Sequence, residues 1–209
     1  MIVVKVGGSL FDHPALGQAL RAFVESLAPA DVLLVPGGGP VADAVRQLDR
    51  VHALGEEAAH WLALRALGVT GALLEGLAAE PLPPTPSPKK GGGAREDRGG
   101  PFILSPSLLR GGVGEGSLRV LNCFTFAQDD EGRPGALPHT WAVTTDSIAA
   151  RAAVVFRADR LVLLKSVDVP PGTPWETAAA NGWVDAHFPH VAATLACPIE
   201  VVNLRSRLG

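Results

Sequence analysis

Five short runs are rich in Val, Ile and Leu without strict apolar–polar alternation: residues 2–6, 31–35, 118–123, 161–164 and 199–203. A strand that is apolar on both sides must be covered on both sides. Segments of helical period lie between the runs, at 14–27, at 40–50 after a glycine turn, at 55–67, at 147–157 and at 187–195. Strands alternating with helices cross over the sheet and become parallel. The expected fold is therefore α/β, a three-layer αβα sandwich with a mostly parallel central sheet, in one domain over residues 1–209. Residues 69–74 are a further candidate strand.

Residues 81–101 break this pattern. They carry Pro83-Pro84, Pro86, Pro88, Lys89-Lys90 and three successive glycines. Such a composition buries no core, so a mobile surface loop is expected there. The whole chain of 209 residues is 47% hydrophobic and 19% charged, which is globular. Its net charge is -3 with no block of like charges, whereas a nucleic-acid binder normally shows a basic face. No apolar stretch approaches the roughly 20 residues that span a bilayer. Nucleic acid and membrane are thus not expected partners. Cys123 and Cys197 form no CxxC pair and no disulfide framework, and read as buried free thiols of a reducing compartment. The first residues lead straight into a strand without the parts of a secretory signal, so a cytoplasmic location is expected.

Two lysines stand out. Lys5 sits in Val3-Val4-Lys5-Val6-Gly7-Gly8, and Lys165 in Leu161-Val162-Leu163-Leu164-Lys165-Ser166. Each is a lone cation near the C-terminal end of an apolar strand. A lysine is almost never buried without an anionic partner, and open α/β sheets bind ligands at this edge. One such lysine could equally snorkel to solvent; two, each followed by small or polar residues, point to an anion site. The turns Gly7-Gly8-Ser9 and Gly37-Gly38-Gly39-Pro40 each follow a strand and precede a helix. Glycine lets the backbone approach an anion, and successive amides at a helix start attract negative charge. Two such turns after consecutive strands give two cradles near one edge, as a phosphate donor and its acceptor require. Neither turn is a P-loop or a GxGxxG, and the protein-kinase signatures are missing. Asp146, in Thr144-Thr145-Asp146-Ser147-Ile148, reads either as the N-cap of the helix that follows or as the organiser of the lysines, and one residue can do both.

In their order and spacing these motifs resemble the amino acid kinase family over nearly the whole chain. The residues that carry the likeness are Val4-Lys5-Val6-Gly7-Gly8-Ser9-Leu10, Pro36-Gly37-Gly38-Gly39-Pro40, Thr144-Thr145-Asp146 and Leu164-Lys165-Ser166-Val167-Asp168. The resemblance implies an ATP-dependent kinase working with Mg2+ on a small acidic acceptor. It implies Lys5 and Lys165 as the cations on the transferring phosphoryl group and Asp146 as their organiser. Gly7, Gly8, Ser9, Ser166 and Asp168 would lie against nucleotide and phosphate, and Gly37, Gly38 and Gly39 against the acceptor. No metal cage is expected, because Mg2+ arrives on ATP. A homodimer or higher homo-oligomer also follows only from the resemblance.

Within the family, Leu137-Pro138-His139-Thr140-Trp141 before Thr144-Thr145-Asp146 is similar to the kinases of aminomethylfuran phosphate in methanofuran synthesis. Asp49-Arg50-Val51-His52 and Ala59-His60-Trp61 are similar to them too. His139 and Trp141 are the further acceptor-side candidates. His52 and His60 read more readily as surface or packing residues, and Arg46 and Arg50 as a solvated helix face or as partners of an acceptor phosphate. Val169 stands where the family usually has Gly after Val-Asp. A UMP or small-carboxylate acceptor, or a nucleotide sensor without catalysis, remains an alternative reading.

Overall fold

The computed structural model of this protein describes residues 1–79 and 116–207; the expected loop at 81–101 lies outside the described residues. Strands β1 (Ile2–Val6), β2 (Val32–Pro36), β3 (Leu118–Val120), β4 (Arg160–Lys165) and β5 (Ile199–Asn203) form one sheet in the order β3-β2-β1-β4-β5. Every pairing is parallel. Around it lie α1 (Leu16–Glu25), α2 (Gly39–His52), α3 (Glu56–Ala78), α4 (Cys123–Asp130), α5 (Thr145–Val155), α6 (Trp175–Ala180) and α7 (Phe188–Ala192). This is the expected α/β sandwich. The sheet is parallel because strands consecutive in sequence are joined by crossovers long enough to reverse the chain twice.

Side chains alternate across a strand, so register decides which of them share a face. Val3, Leu33, Val35, Leu161 and Leu163 form one core with α5 and with Leu64 and Leu67 of α3. Ile2, Val4, Leu34, Val162 and Leu164 form the other with Leu16, Leu20 and Phe23 of α1, and here α3 adds Leu74. Lys5 pairs with Leu163, and Lys165 stands two residues further along β4. Both lysines thus project from the face of Val3, Leu161 and Leu163, which α5 covers.

Three local expectations change. Residues 69–74 are not a strand but the second half of α3, whose partners are α1, α2, α4, β2 and β3. Because α3 serves both cores, its buried residues form no single stripe, and the β-branched Val69 and Thr70 masked the helix. By length and composition α3 would also pass for a membrane-crossing helix, with a mean hydropathy of 1.3 over its most apolar window. The strand at 118 ends at Val120, because the Asn122 side chain accepts the amide of Thr125 at 3.1 Å and starts α4. The helix α6, after Pro174, was not anticipated.

The two glycine turns pack backbone against backbone. A Cβ on Gly8 would lie 2.3 Å from the Gly39 amide nitrogen, and one on Gly37 would lie 2.3 Å from the Gly8 nitrogen and 2.5 Å from the Val6 carbonyl. No side chain fits between them, so glycine is required here for packing whatever the turns bind. Gly37→Ala is expected to lower stability by about 2–3 kcal/mol, since the obstacle is rigid backbone rather than a side chain that can swing away. Urea unfolding of the purified variant measures this; a loss within error of zero would mean the turns can part freely.

Candidate functional site

Asp146 accepts both lysines. Lys165 Nζ donates to its two carboxylate oxygens at 2.7 and 2.8 Å, and Lys5 Nζ reaches Oδ1 at 2.9 Å. The three residues are buried, with 5–8% of their surface exposed. One carboxylate shared by two ammonium groups leaves an excess positive charge at the sheet edge. Burial alone would raise the pKa of Asp146, but Lys5 and Lys165 overcome it and hold the carboxyl below its usual range. Burial, and then the charge of Lys5, push Lys165 down to about 8, against the pull of Asp146. An arriving anion would offset the repulsion from Lys5 and favour the charged form of Lys165.

Asp146 is held by the start of α5, where it is the second helical residue. It is not the N-cap: that position is Thr144, whose side chain makes no capping bond. The cap comes from a distant residue, Asp185. Its carboxylate accepts the Thr144 amide at 3.0 Å, the Thr144 hydroxyl at 2.9 Å, the Ser147 amide at 2.9 Å and the Ser147 hydroxyl at 2.5 Å. It also takes the Phe188 amide at 2.9 Å, tying α7 to the same point. A carboxylate on free amides at a helix start satisfies both hydrogen bonding and the helix dipole. The bonds fix the first turn of α5, and with it Asp146.

A cleft of about 260 Å³ opens at the glycine turns and the start of α5. Gly8, Ser9, Gly38 and Gly39 line its turn end, Arg46 and Trp141 one wall, and Thr144 and Thr145 the α5 side. The guanidinium of Arg46 lies 5.0 Å over the Trp141 ring and 2.8 Å from Asp43. The Trp141 indole donates to Asp49 Oδ2 at 2.8 Å. His60 and Leu64 of α3 also face this cleft.

His139 does not reach it and lines a smaller cavity behind. Its Nδ1 lies 2.8 Å from Glu57 and its Nε2 2.9 Å from Glu131, and its ring stacks on His60 at 5.1 Å. His139 therefore braces the loop before α5 against α3 and α4, while its neighbour His60 is the histidine at the cleft.

The remaining candidates divide by position. Gly7 and Gly37 are buried beneath the turns. The Ser9 and Ser166 hydroxyls meet at 2.7 Å, joining the turns after β1 and β4. Arg205, past β5, donates to the Ser9 carbonyl at 2.6 Å and pairs with Asp12. Asp168 is exposed. Asp185, Glu57, Glu131 and Arg205 went unnoticed in the sequence because each acts across a long separation; the only signal for Asp185 was the unsatisfied helix start at Thr144.

The family model described as the amino acid kinase family matches residues 1–169. The chain belongs to the amino acid kinase family. A [5-(aminomethyl)furan-3-yl]methyl phosphate kinase from Methanocaldococcus jannaschii is 32% identical over 72 residues, 34% of this chain and 33% of that protein. The match thus spans about a third of that relative's length. Among solved structures, a uridylate kinase from Archaeoglobus fulgidus superposes with a TM-score of 0.59 at 16% identity, over 100% of this chain and 94% of that one. An N-acetylglutamate synthase from Neisseria gonorrhoeae gives 0.45 at 18% identity over 98% and 56%. The uridylate kinase likeness shows that the amino acid kinase fold extends past the matched residues, through β5 and Arg205.

Replacing Asp185 tests how the chain holds this helix start. Asp185→Ala removes the acceptor of five bonds and is expected to cost about 2–4 kcal/mol. Asp185→Asn, which keeps one acceptor oxygen, should cost clearly less. Thermal unfolding of the two variants side by side checks the order.

Proposed function

We propose that this protein is an ATP-dependent kinase that moves the γ-phosphoryl group of Mg·ATP onto a small acidic acceptor. The observation that carries this reading is the buried Lys5–Asp146–Lys165 cluster with its excess positive charge, at the same edge of a parallel sheet as the two paired glycine turns. The acceptor proposed is an aminomethylfuran phosphate, converted to a diphosphate in methanofuran-type cofactor synthesis. The likeness to the phosphate kinase from Methanocaldococcus jannaschii supports it, as does the Arg46–Trp141 wall, which offers a cation and a flat ring together.

The chemistry asked of this chain is positioning and charge stabilisation. The bond from the bridging oxygen to the γ-phosphorus breaks and ADP leaves. A new bond forms between that phosphorus and an oxygen of the acceptor. A phosphate or carboxylate oxygen is already anionic and gives up no proton, so the reaction needs no general base. Lys5 and Lys165 lie where charge spreads over the transferring oxygens. Asp146 keeps the two cations together and is itself fixed by the start of α5. The Gly8 and Gly39 turns fit phosphate because bare backbone lines them. Mg2+ enters on the phosphate oxygens of the nucleotide, where it neutralises charge.

Release of ADP from Mg·ATP, with aminomethylfuran phosphate, UMP and acetylglutamate compared as acceptors, tests the assignment. Turnover on the furan phosphate alone is expected; ATP binding with no turnover on any acceptor would favour a nucleotide sensor. Lys5→Ala should reduce kcat by about 100-fold or more with the fold intact, and near-normal turnover would sink the reading.

The pH profile gives a second check. Lys165 carries its charge below about 8 and loses it above. If that charge stabilises the transferring phosphoryl group, kcat/KM falls as pH rises through about 8. The limb in kcat should lie higher, because bound phosphates favour the charged form. A flat kcat/KM from pH 7 to 10 would exclude Lys165 from this role.

A further inference from the structure

We propose that the acceptor cleft is built for an elongated molecule with an anion at one end and a hydrogen-bond donor, an ammonium or a hydroxyl, at the other, and that His60 receives the donor. The inference rests on the kinase reading above and adds to it a residue that selects the acceptor.

His60 is 7% exposed and lines both the cleft and the smaller cavity behind it. Its position along α3 sets the length of the ligand. Leu67 adjoins the second glycine turn: its Cδ2 would lie 3.8 Å from a Cβ on Gly38. His60 is two helical turns earlier, a rise of about 10 Å at 1.5 Å per residue. The wall between is apolar, formed by Ala63, Leu64, Val143 and Ile148. A ligand with its anion at the glycine amides and Arg46 would thus cross an apolar stretch before meeting His60.

The surroundings of His60 decide what it can accept. Both ring nitrogens of His139 face carboxylates, Glu57 at the start of α3 and Glu131 after α4. His60 lies parallel to that ring within 22°, at 5.1 Å. A positive charge on one of two stacked imidazoles disfavours a second on the other. Burial, and then His139, hold the pKa of His60 below its usual value, against a hydrogen bond to the Thr140 backbone and the charges of Glu57 and Glu131. A neutral imidazole has one donor and one lone pair. The Thr140 carbonyl is the backbone acceptor beside the ring; the tautomer with its N–H toward that carbonyl leaves the lone pair for a ligand that brings its own N–H or O–H.

Two acceptors differing at that end test the proposal, [5-(aminomethyl)furan-3-yl]methyl phosphate and furan-3-ylmethyl phosphate, each assayed for ADP release with saturating Mg·ATP. The wild-type protein should prefer the amino compound by about tenfold or more in kcat/KM. His60→Leu should lose that preference with the KM for ATP changed by less than about twofold; His60→Asn, a smaller polar replacement, guards against a misfolded variant. A preference kept intact in both variants would overturn the proposal. Nitrogen-15 imidazole spectra of the free protein near pH 7 give an arm independent of turnover. One protonated nitrogen on His60 is expected, and a doubly protonated His60 would overturn it. Turnover of neither furan by the wild type would count against the kinase reading, and the spectra would still decide the state of His60.

Discussion

A carboxylate shared by two buried ammonium groups cannot be taken apart piecemeal. Removing Asp146 leaves two like charges together in a dry place, and removing one lysine changes the charge of the site by a full unit. The rest of the architecture follows from that constraint. Register puts the lysines on one face, two residues apart in phase, so that a single acid can reach both. Helix α5 must then start directly over that face, and its first turn must be rigid.

That rigidity is supplied from outside the helix. Asp185, on the segment before α7, takes the amides and hydroxyls that a local cap would otherwise serve. A separate brace, His139 between Glu57 and Glu131, holds the loop that leads into the helix. A buried pair, Arg151 to Asp130 at 2.7 and 2.8 Å, fastens the middle of α5 to the end of α4. These contacts converge on one helix because its first turn carries Asp146. The glycine turns meet the same demand by another route: they approach so closely that only bare backbone fits, and the amides that line the cleft are held in place by packing.

The strand pattern was legible because apolar strands covered on both sides leave an unambiguous trace. The lysines were legible because a charge in such a strand conflicts with its surroundings, and such conflicts mark sites. Local rules failed where tertiary contacts decided. The second half of α3 looked like a strand because the helix changes core along its length, Leu64 and Leu67 facing one and Leu74 the other, with β-branched Val69 and Thr70 between. His139 looked like an acceptor residue because it sits close to Asp146 in sequence, yet two glutamates turn its ring away from the cleft.

By itself, then, the sequence determined the parallel sandwich, the membership of Lys5, Asp146 and Lys165 in one edge, and the two glycine turns, since periodicity and misplaced charge are local properties. Only the tertiary structure decided that Asp185 caps α5, that Arg46 rests on Trp141, and that His60 rather than His139 faces the cleft. These depend on side chains meeting across long separations along the chain, 38 residues for Asp185 and Ser147 and 82 for His139 and Glu57, and no local pattern encodes such a meeting.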